Sequence, residues 1–347
     1  MISDAFIRSV VSKISRLQIS CAELKLYVHS GFQRYAMIIN TGSRTDIPAF
    51  FSDWFYNRIR ERYALVRNPY NPVSVTKYRL DPSVVDVISF CTKNPIPMLN
   101  RIHELDAFRT FFMVTITPYG TEIEPHVPEK KKVMKAFAAL SRYAGRRSVI
   151  WRYDPVFIFG KYTVDFHKRT FAEMAGKLKP YTDQCVVSFL DLYEKTKRNF
   201  PEASAVLMSV QNELIDSFNM TAERLGMQIH LCLEDRSLVR SHVDAEGCFS
   251  KKVIENAIGK RLLVPTHSPA RQGCSCLLGA DIGEYNTCGH GCLYCYANYD
   301  QSAVLHNMSQ HDPSSPLLIG HLTEHDIVHT AKQASWIDRQ MSIFDLL

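Results

Sequence analysis

Eight residues, Cys288-Gly-His-Gly-Cys292-Leu-Tyr-Cys295, set three thiols at the spacing C-x3-C-x2-C. A loop this tight can wrap one corner of an iron–sulfur cubane and offer three thiolates to three irons. Ferredoxin sites supply four cysteines per cluster, so three leave one iron open to a ligand. Gly289 and Gly291 let the backbone adopt positive φ and approach such a cluster closely. Zinc is the competing occupant. Cys292 and Cys295 form a C-x2-C half-site, Cys274 and Cys276 a poorer partner half, and His290 could add a ligand.

The remaining thiols sharpen this picture. Of ten cysteines, Cys21, Cys91 and Cys185 are scattered, whereas seven crowd the final third. Clustering of this kind points to metal ligation, and the lack of a secretory signal makes disulfides the weaker reading. Cys274 and Cys276, at i and i+2, share a face in extended chain. With Cys248 in a loop-like EGCF segment and Cys232 on a strand face with His230 and Glu234, they make four thiolates. Four would close a second iron–sulfur cluster or a structural zinc site. A buried free thiol is the alternative for Cys232.

Other chemistry-bearing residues recur just after apolar runs. They are Arg44 and Asp46 in SRTD, Arg67 and Asn68 in VRNP, and Lys93 and Asn94 in TKNP. Thr117 and Tyr119 follow in TPYG, Arg152 and Asp154 in WRYDP, and Asp191 and Tyr193 in LDLY. Some of these would simply cap helices or make turns, above all Asp46, Asn68 and Asn94 near prolines. Arg44, Asp46, Lys93, Arg152 and Asp154 are the candidates to anchor a charged substrate or cofactor.

Positioning them requires strands ending at one rim. The runs 36–40, 64–68, 84–90, 110–117, 147–153, 185–192 and 227–233 have the β-branched and aromatic content of buried strands. A further run, 73–80, is expected to pair with the second after the turn signal NPYNP. Helical patterns lie between them, the clearest over 128–145 and 203–226. Seven strands alternating with helices predict an α/β fold with a mainly parallel sheet. The count suits a complete or partial TIM-type (β/α) barrel, with a doubly wound sheet as the alternative. In a barrel the residues after the strands open onto the C-terminal rim, where active sites form. Neither a G-x-G-x-x-G after a strand nor a P-loop pattern is present.

Four segments are expected: an extension over 1–36, the barrel-like domain over 37–245, a cysteine-rich, strand-poor segment over 246–312, and a tail over 313–347. The extension carries an amphipathic basic helix pattern that fits a targeting peptide, a packed add-on or a mis-assigned start. In the tail, Gln340-Met-Ser-Ile-Phe344 looks like the short peptide with which replication and repair proteins bind the DNA sliding clamp. An apolar tail docking on its own domain is the plainer reading. Charged residues make up 22% and hydrophobic residues 46%, as in a globular protein able to bury a full core. No apolar run is long enough for a membrane span. The net charge of +6 permits a nucleic-acid partner without demanding one.

C-x3-C-x2-C with Tyr294 as the aromatic before the last cysteine resembles the motif of radical S-adenosylmethionine (SAM) enzymes. The resemblance implies a [4Fe–4S] cluster on Cys288, Cys292 and Cys295, SAM chelated at the open iron and cleaved reductively, and a flavodoxin- or ferredoxin-type electron donor. Ten cysteines without a secretory signal point, for their part, to a reducing compartment and a cytoplasmic protein. The wider chain is similar to domain of unknown function family 1848, through SRTDIPAF, VRNP, TKNPIPML, TPYG, VIWRYDPV, DIGEYNTCGHGCLYCYANY and HDPSSPLLIG. That family is noted for such a cysteine motif at the end opposite to its usual place after the first strand. A non-catalytic metal-binding protein that docks on a clamp or nucleic acid is the competing expectation.

Overall fold

A computed structural model describes residues 37–264, 274–277 and 279–338. The expectations for 1–36 and for Gln340–Phe344 lie outside the described residues.

The chain enters on strand β1 (Ile38–Asn40), turns through helix α1 (Ile47–Phe50) and helix α2 (Ser52–Glu61), and ends the latter on Arg62 in the left-handed region. Strands β2 (Tyr63–Asn68) and β3 (Asn71–Arg79) form an antiparallel hairpin across the NPYNP turn. There follow β4 (Val87–Thr92), a 3-10 helix (Ile96–Leu105), β5 (Thr110–Thr115), α3 (Lys130–Ala144) and β6 (Val149–Val156). The alternation continues with α4 (Val164–Leu178), β7 (Gln184–Phe189), α5 (Glu194–Asn199), α6 (Met208–Leu225) and β8 (Gln228–Leu231). The final elements are β9 (Val243–Asp244), α7 (Lys251–Ile258), β10 (Ala280–Asp281), α8 (Gln301–Ser309) and β11 (Ile327–Thr330).

The main sheet has eight strands in the order β10-β1-β4-β5-β6-β7-β8-β9, and every pairing in it is parallel. Strands buried on both faces read as unbroken apolar runs, as TFFMVT does in β5, where all six residues are buried. One face packs on helices: Ile88, Phe112, Val114, Trp151 and Val187 meet residues such as Trp54, Phe137, Phe171 and Phe218. The other face carries Ile38, Val87, Phe111, Ile150 and Val186. It is filled by the chain after β9, through Cys248, Phe249, Val253, Ile254, Leu262 and Leu277. The two sheet edges, β9 and β10, share no strand pairing among the described residues.

One expected strand sits elsewhere. Residues 64–68 do not join the main sheet, because the tight hairpin to β3 commits β2 to antiparallel pairing. A side sheet, β11-β3-β2, results, with β11 parallel to β3. The eight strands are made up instead by β9 and β10, each only two residues long. Arg67 and Asn68 therefore do not stand at the C-terminal rim of the main sheet. Arg67 is paired with Asp326, and the Asn68 side chain accepts the Tyr70 N–H at the hairpin turn.

Candidate functional site

Strand alternation builds the first half of the site. Ile150, Arg152 and Asp154 share one face of β6, the first two positions apolar then cationic. At the C-terminal end of this face the lining turns polar. Arg152 donates to Asp154 and, at 3.2 Å, to the Cys91 sulfur; Ser188 of β7 donates to Asp154 as well. Arg152 Nε is buried and lacks a hydrogen-bond partner.

The three-thiol loop follows β10 directly. β10 lies beside β1, with Ile39 opposite Ala280 and Asn40 opposite Asp281, so the chain leaves it at the C-terminal end of the sheet. Gly279 makes this docking possible, since a Cβ there would stand 1.8 Å from the Ile38 carbonyl oxygen. Arg44, after β1, is bonded at 3.0 Å to the Asp281 carboxylate. Four further bonds fasten the loop. His126 N–H donates to the His290 carbonyl at 3.1 Å, and Leu293 N–H to that of Ile123 at 3.1 Å. Tyr296 OH reaches the Ser43 carbonyl at 2.7 Å, and the Asn298 amide that of Cys288 at 2.7 Å. Gly291 sits at φ +68°, a conformation that favours glycine.

Asp46 ties the loop to two other elements. It caps α1 through the Ala49 N–H, accepts the Lys93 N–H at 2.8 Å, and meets His290 Nε2 at 2.8 Å. Its helix-capping role, expected from the sequence, thus comes with a contact to the cysteine loop. His290 spends that nitrogen on Asp46 and has its Nδ1 3.5 Å from the His126 carbonyl.

Glu124, in the loop after β5, is the residue that sequence reasoning missed. It is 1% exposed and takes Lys93 at 2.9 Å, Thr117 at 2.6 Å, and also Lys130 and the Tyr294 hydroxyl. Burial pushes its carboxyl up, but Lys93 and Lys130 outweigh burial and hold it at about 2. For Lys93 burial opposes the charge, yet Glu124 and Cys292 raise its pKa overall. Lys130 is lowered by burial in spite of the same carboxylate.

The thiols themselves are half-buried. Cys288, Cys292 and Cys295 are free, and no hydrogen bond joins one to another among the described residues. Burial raises Cys288 well above its usual value and Cys292 to about 12, the latter against the pull of Lys93. The His290 N–H points at the Cys288 sulfur, and the Ala297 N–H donates to Cys295 at 3.3 Å. Such donors and cations stabilise sulfur in its anionic form. Outside the loop stand Tyr193, Tyr296 and Tyr299, each between 40% and 49% exposed. Lys195 lies 3.7 Å from the Tyr299 ring centre and within electrostatic reach of Cys295.

The other four thiols also converge. Cys232 lies just past β8, Cys248 past β9, and Cys274 and Cys276 before β10. Cys232 and Cys248 are 3.6 Å apart, Cys248 and Cys276 are 3.6 Å apart, and Cys274 lies within electrostatic reach of Cys276. Among the described residues, no three His, Cys, Asp or Glu side chains already surround one point at ligand distance. A cavity of about 510 Å³ opens away from both thiol groups, at the N-terminal ends of β7 and β8, beside Gln184, Gln228 and His242.

The remaining expected residues are satisfied locally. Asn94 accepts the Ile96 N–H, Tyr119 OH donates to the Pro155 carbonyl, and Tyr193 OH donates to Asp191.

A family profile described as a domain of unknown function (DUF1848) matches residues 38–297. The match takes in every strand of the main sheet and all three loop cysteines. The chain belongs to the DUF1848 family. Family membership here therefore carries the loop and the sheet together, as one unit. No curated protein and no solved structure matches the chain. No helix of the described residues is long and apolar enough to cross a membrane.

Proposed function

We propose that the protein is a radical-SAM-like iron–sulfur enzyme, with Cys288, Cys292 and Cys295 as the ligands of a [4Fe–4S] cluster. The observation that carries this reading is their arrangement. Three half-buried thiols stand on one loop at the C-terminal end of a parallel sheet, with N–H donors at Cys288 and Cys295 and Lys93 within electrostatic reach of Cys292. That donor set fits a cubane, whose thiolates bind different irons. Bound there, the cluster supplies an electron and an open iron for the amino and carboxylate groups of SAM.

The place of the loop in the sheet supports this reading despite its late position in the chain. In sequence it follows every long strand; in space it follows β10, an edge strand placed next to β1. The loop thus follows a strand at the C-terminal end of the sheet, an order compatible with the superfamily's. A barrel-like closure is part of this proposal. Its support is the antiparallel bridge between Ser250 and Cys276 and the Leu277 N–H bond to the Phe249 carbonyl, which link the chain after β9 to the chain before β10.

The residues around the loop divide the work. Lys93, held by Glu124, sets a positive charge beside Cys292. Arg152, with its spare Nε, faces the space between Cys91 and Asp154 and anchors an anionic group. Thr45 Oγ1 and Asn298 Oδ1 are also buried without partners in segments that form this site. Tyr296, Tyr299 and Lys195 form an aromatic and basic rim suited to stacking a nucleobase, which favours nucleic acid as the substrate class.

Anaerobic reconstitution with iron and sulfide tests the reading. The expected result is four irons and four sulfides per chain at this loop and formation of 5′-deoxyadenosine from SAM under a strong reductant. Cys292→Ala should lose both. Iron-loaded protein that never cleaves SAM would count against the enzyme and leave a metal-binding protein.

A further inference from the structure

The second thiol group holds something different. We infer that Cys232, Cys248, Cys274 and Cys276 ligate a single tetrahedral Zn²⁺ that clamps the two edges of the main sheet together. The inference is independent of the cluster proposed above.

Sulfur separations carry it. Four thiolates around one zinc at about 2.3 Å stand roughly 3.8 Å from one another, the edge of the tetrahedron. Cys232 to Cys248 and Cys248 to Cys276 both measure 3.6 Å, and Cys274 lies within electrostatic reach of Cys276. In a cubane each thiolate binds its own iron with inorganic sulfides between, so its ligand sulfurs cannot be in contact. Sulfurs in contact at 3.6 Å therefore suit a single zinc rather than a cubane.

Space and backbone agree with the assignment. A cavity of about 60 Å³ is bordered by Cys232, Cys274 and Cys276, large enough for an ion. Cys232 and Cys274 border that cavity, and the zinc would require their side chains to rotate until the four sulfurs share one centre. Gly247, at φ +91°, precedes Cys248, and a Cβ there would lie 2.8 Å from Ser275 Oγ and 3.4 Å from the Cys276 sulfur. The turn therefore brings Cys248 against the Cys274–Cys276 segment in a way that other residues resist. The Cys276 N–H points at the Cys274 sulfur. Zinc with four thiolates has a net charge of −2, and Arg152 lies within electrostatic reach of Cys232 and Cys248. The ligands come from the β8 and β9 edge and from the approach to β10, so one ion would reinforce the link that the Ser250–Cys276 bridge makes between these segments.

The full chain purified in air, where an exposed iron–sulfur cluster is lost, should retain about one zinc per chain. Cys292→Ser should keep that zinc, and Cys248→Ser should lose it at least tenfold. Should Cys248→Ser fail to fold, Cys292→Ser protein grown with cobalt in place of zinc provides the second readout. Sulfur-to-cobalt charge-transfer bands and intense tetrahedral ligand-field bands are expected from it. Soluble, folded wild-type protein without zinc would overturn the inference. So would two clusters' worth of iron and sulfide, one cluster vanishing with Cys248→Ser, or cobalt protein lacking the tetrathiolate bands. Iron content at the loop reports separately on the cluster.

Discussion

Glu124 gathers two lysines, a threonine and a tyrosine around one buried carboxylate. Removing its charge leaves Lys93 buried beside Cys292 without its main counter-ion. Breaking a buried pair from one side costs about 3 kcal/mol or more. Glu124→Gln should therefore lower the urea midpoint markedly, and iron retention should fall with it. His167 gives a second residue-scale prediction. It is fully buried, bonded to Tyr153 and Phe157, and desolvation pulls its pKa to about 4. Its unfolded value is near 6.5, so between the two values the unfolded chain binds the proton and the native state does not. Stability should fall as pH drops from about 6.5 to 4. His167→Asn, less stable at pH 7, should show a shallower fall in melting temperature across that window. Legibility at this scale was uneven. Arg152 and Asp154 were readable because they stand at the end of the apolar run of β6, while Glu124 sits in a loop with no period to betray its burial. Asp46 was readable as a helix cap, but its bonds to Lys93 and His290 depend on residues 47 and 244 positions away.

Among elements, β10 is the shortest that the site depends on. Its two residues dock beside β1 because Gly279 presents no Cβ to the Ile38 carbonyl. Gly279→Ala should push the strand off the edge and misplace the cysteine loop. Iron bound per chain after reconstitution is the measurement, and retention of the wild-type value would show that the loop is held without β10. The long strands were visible in the sequence because burial on both faces makes them apolar throughout. Neither β9 nor β10 was visible, since two-residue strands have no pattern of their own and exist through pairing with distant partners. The hairpin of β2 and β3 was legible from NPYNP, but that same turn also removed β2 from the main sheet, a consequence that composition does not display.

For the whole molecule, the C-terminal residues matter as a strap. Ser335 Oγ donates to Asp86 at 2.5 Å and the Trp336 N–H at 2.6 Å, at the foot of β4, while β11 extends the side sheet. Asp86 is 1% exposed, so Asp86→Ala leaves both donors to find new partners in a buried place. A loss of about 1–3 kcal/mol is expected, read as a lower denaturant midpoint, with SAM cleavage largely kept. The parallel α/β architecture was legible from alternating strands and helices. How the sheet's second face is covered was not, because that cover comes from irregular chain after residue 246 whose contacts are all long-range.

The position of β10 also sets an order of events during synthesis. The ribosome makes β1 some 240 residues before the strand that lies against it, roughly 12–50 s earlier at about 5–20 residues per second. Through that interval the nascent sheet has an open edge at Ile38–Asn40, and Asp46 and Arg44 wait without His290 and Asp281. Every thiol of both groups except Cys232 and Cys248 emerges after residue 273. Any metal held by the two proposed sites would thus load at the end of translation, when a nearly complete sheet can receive it.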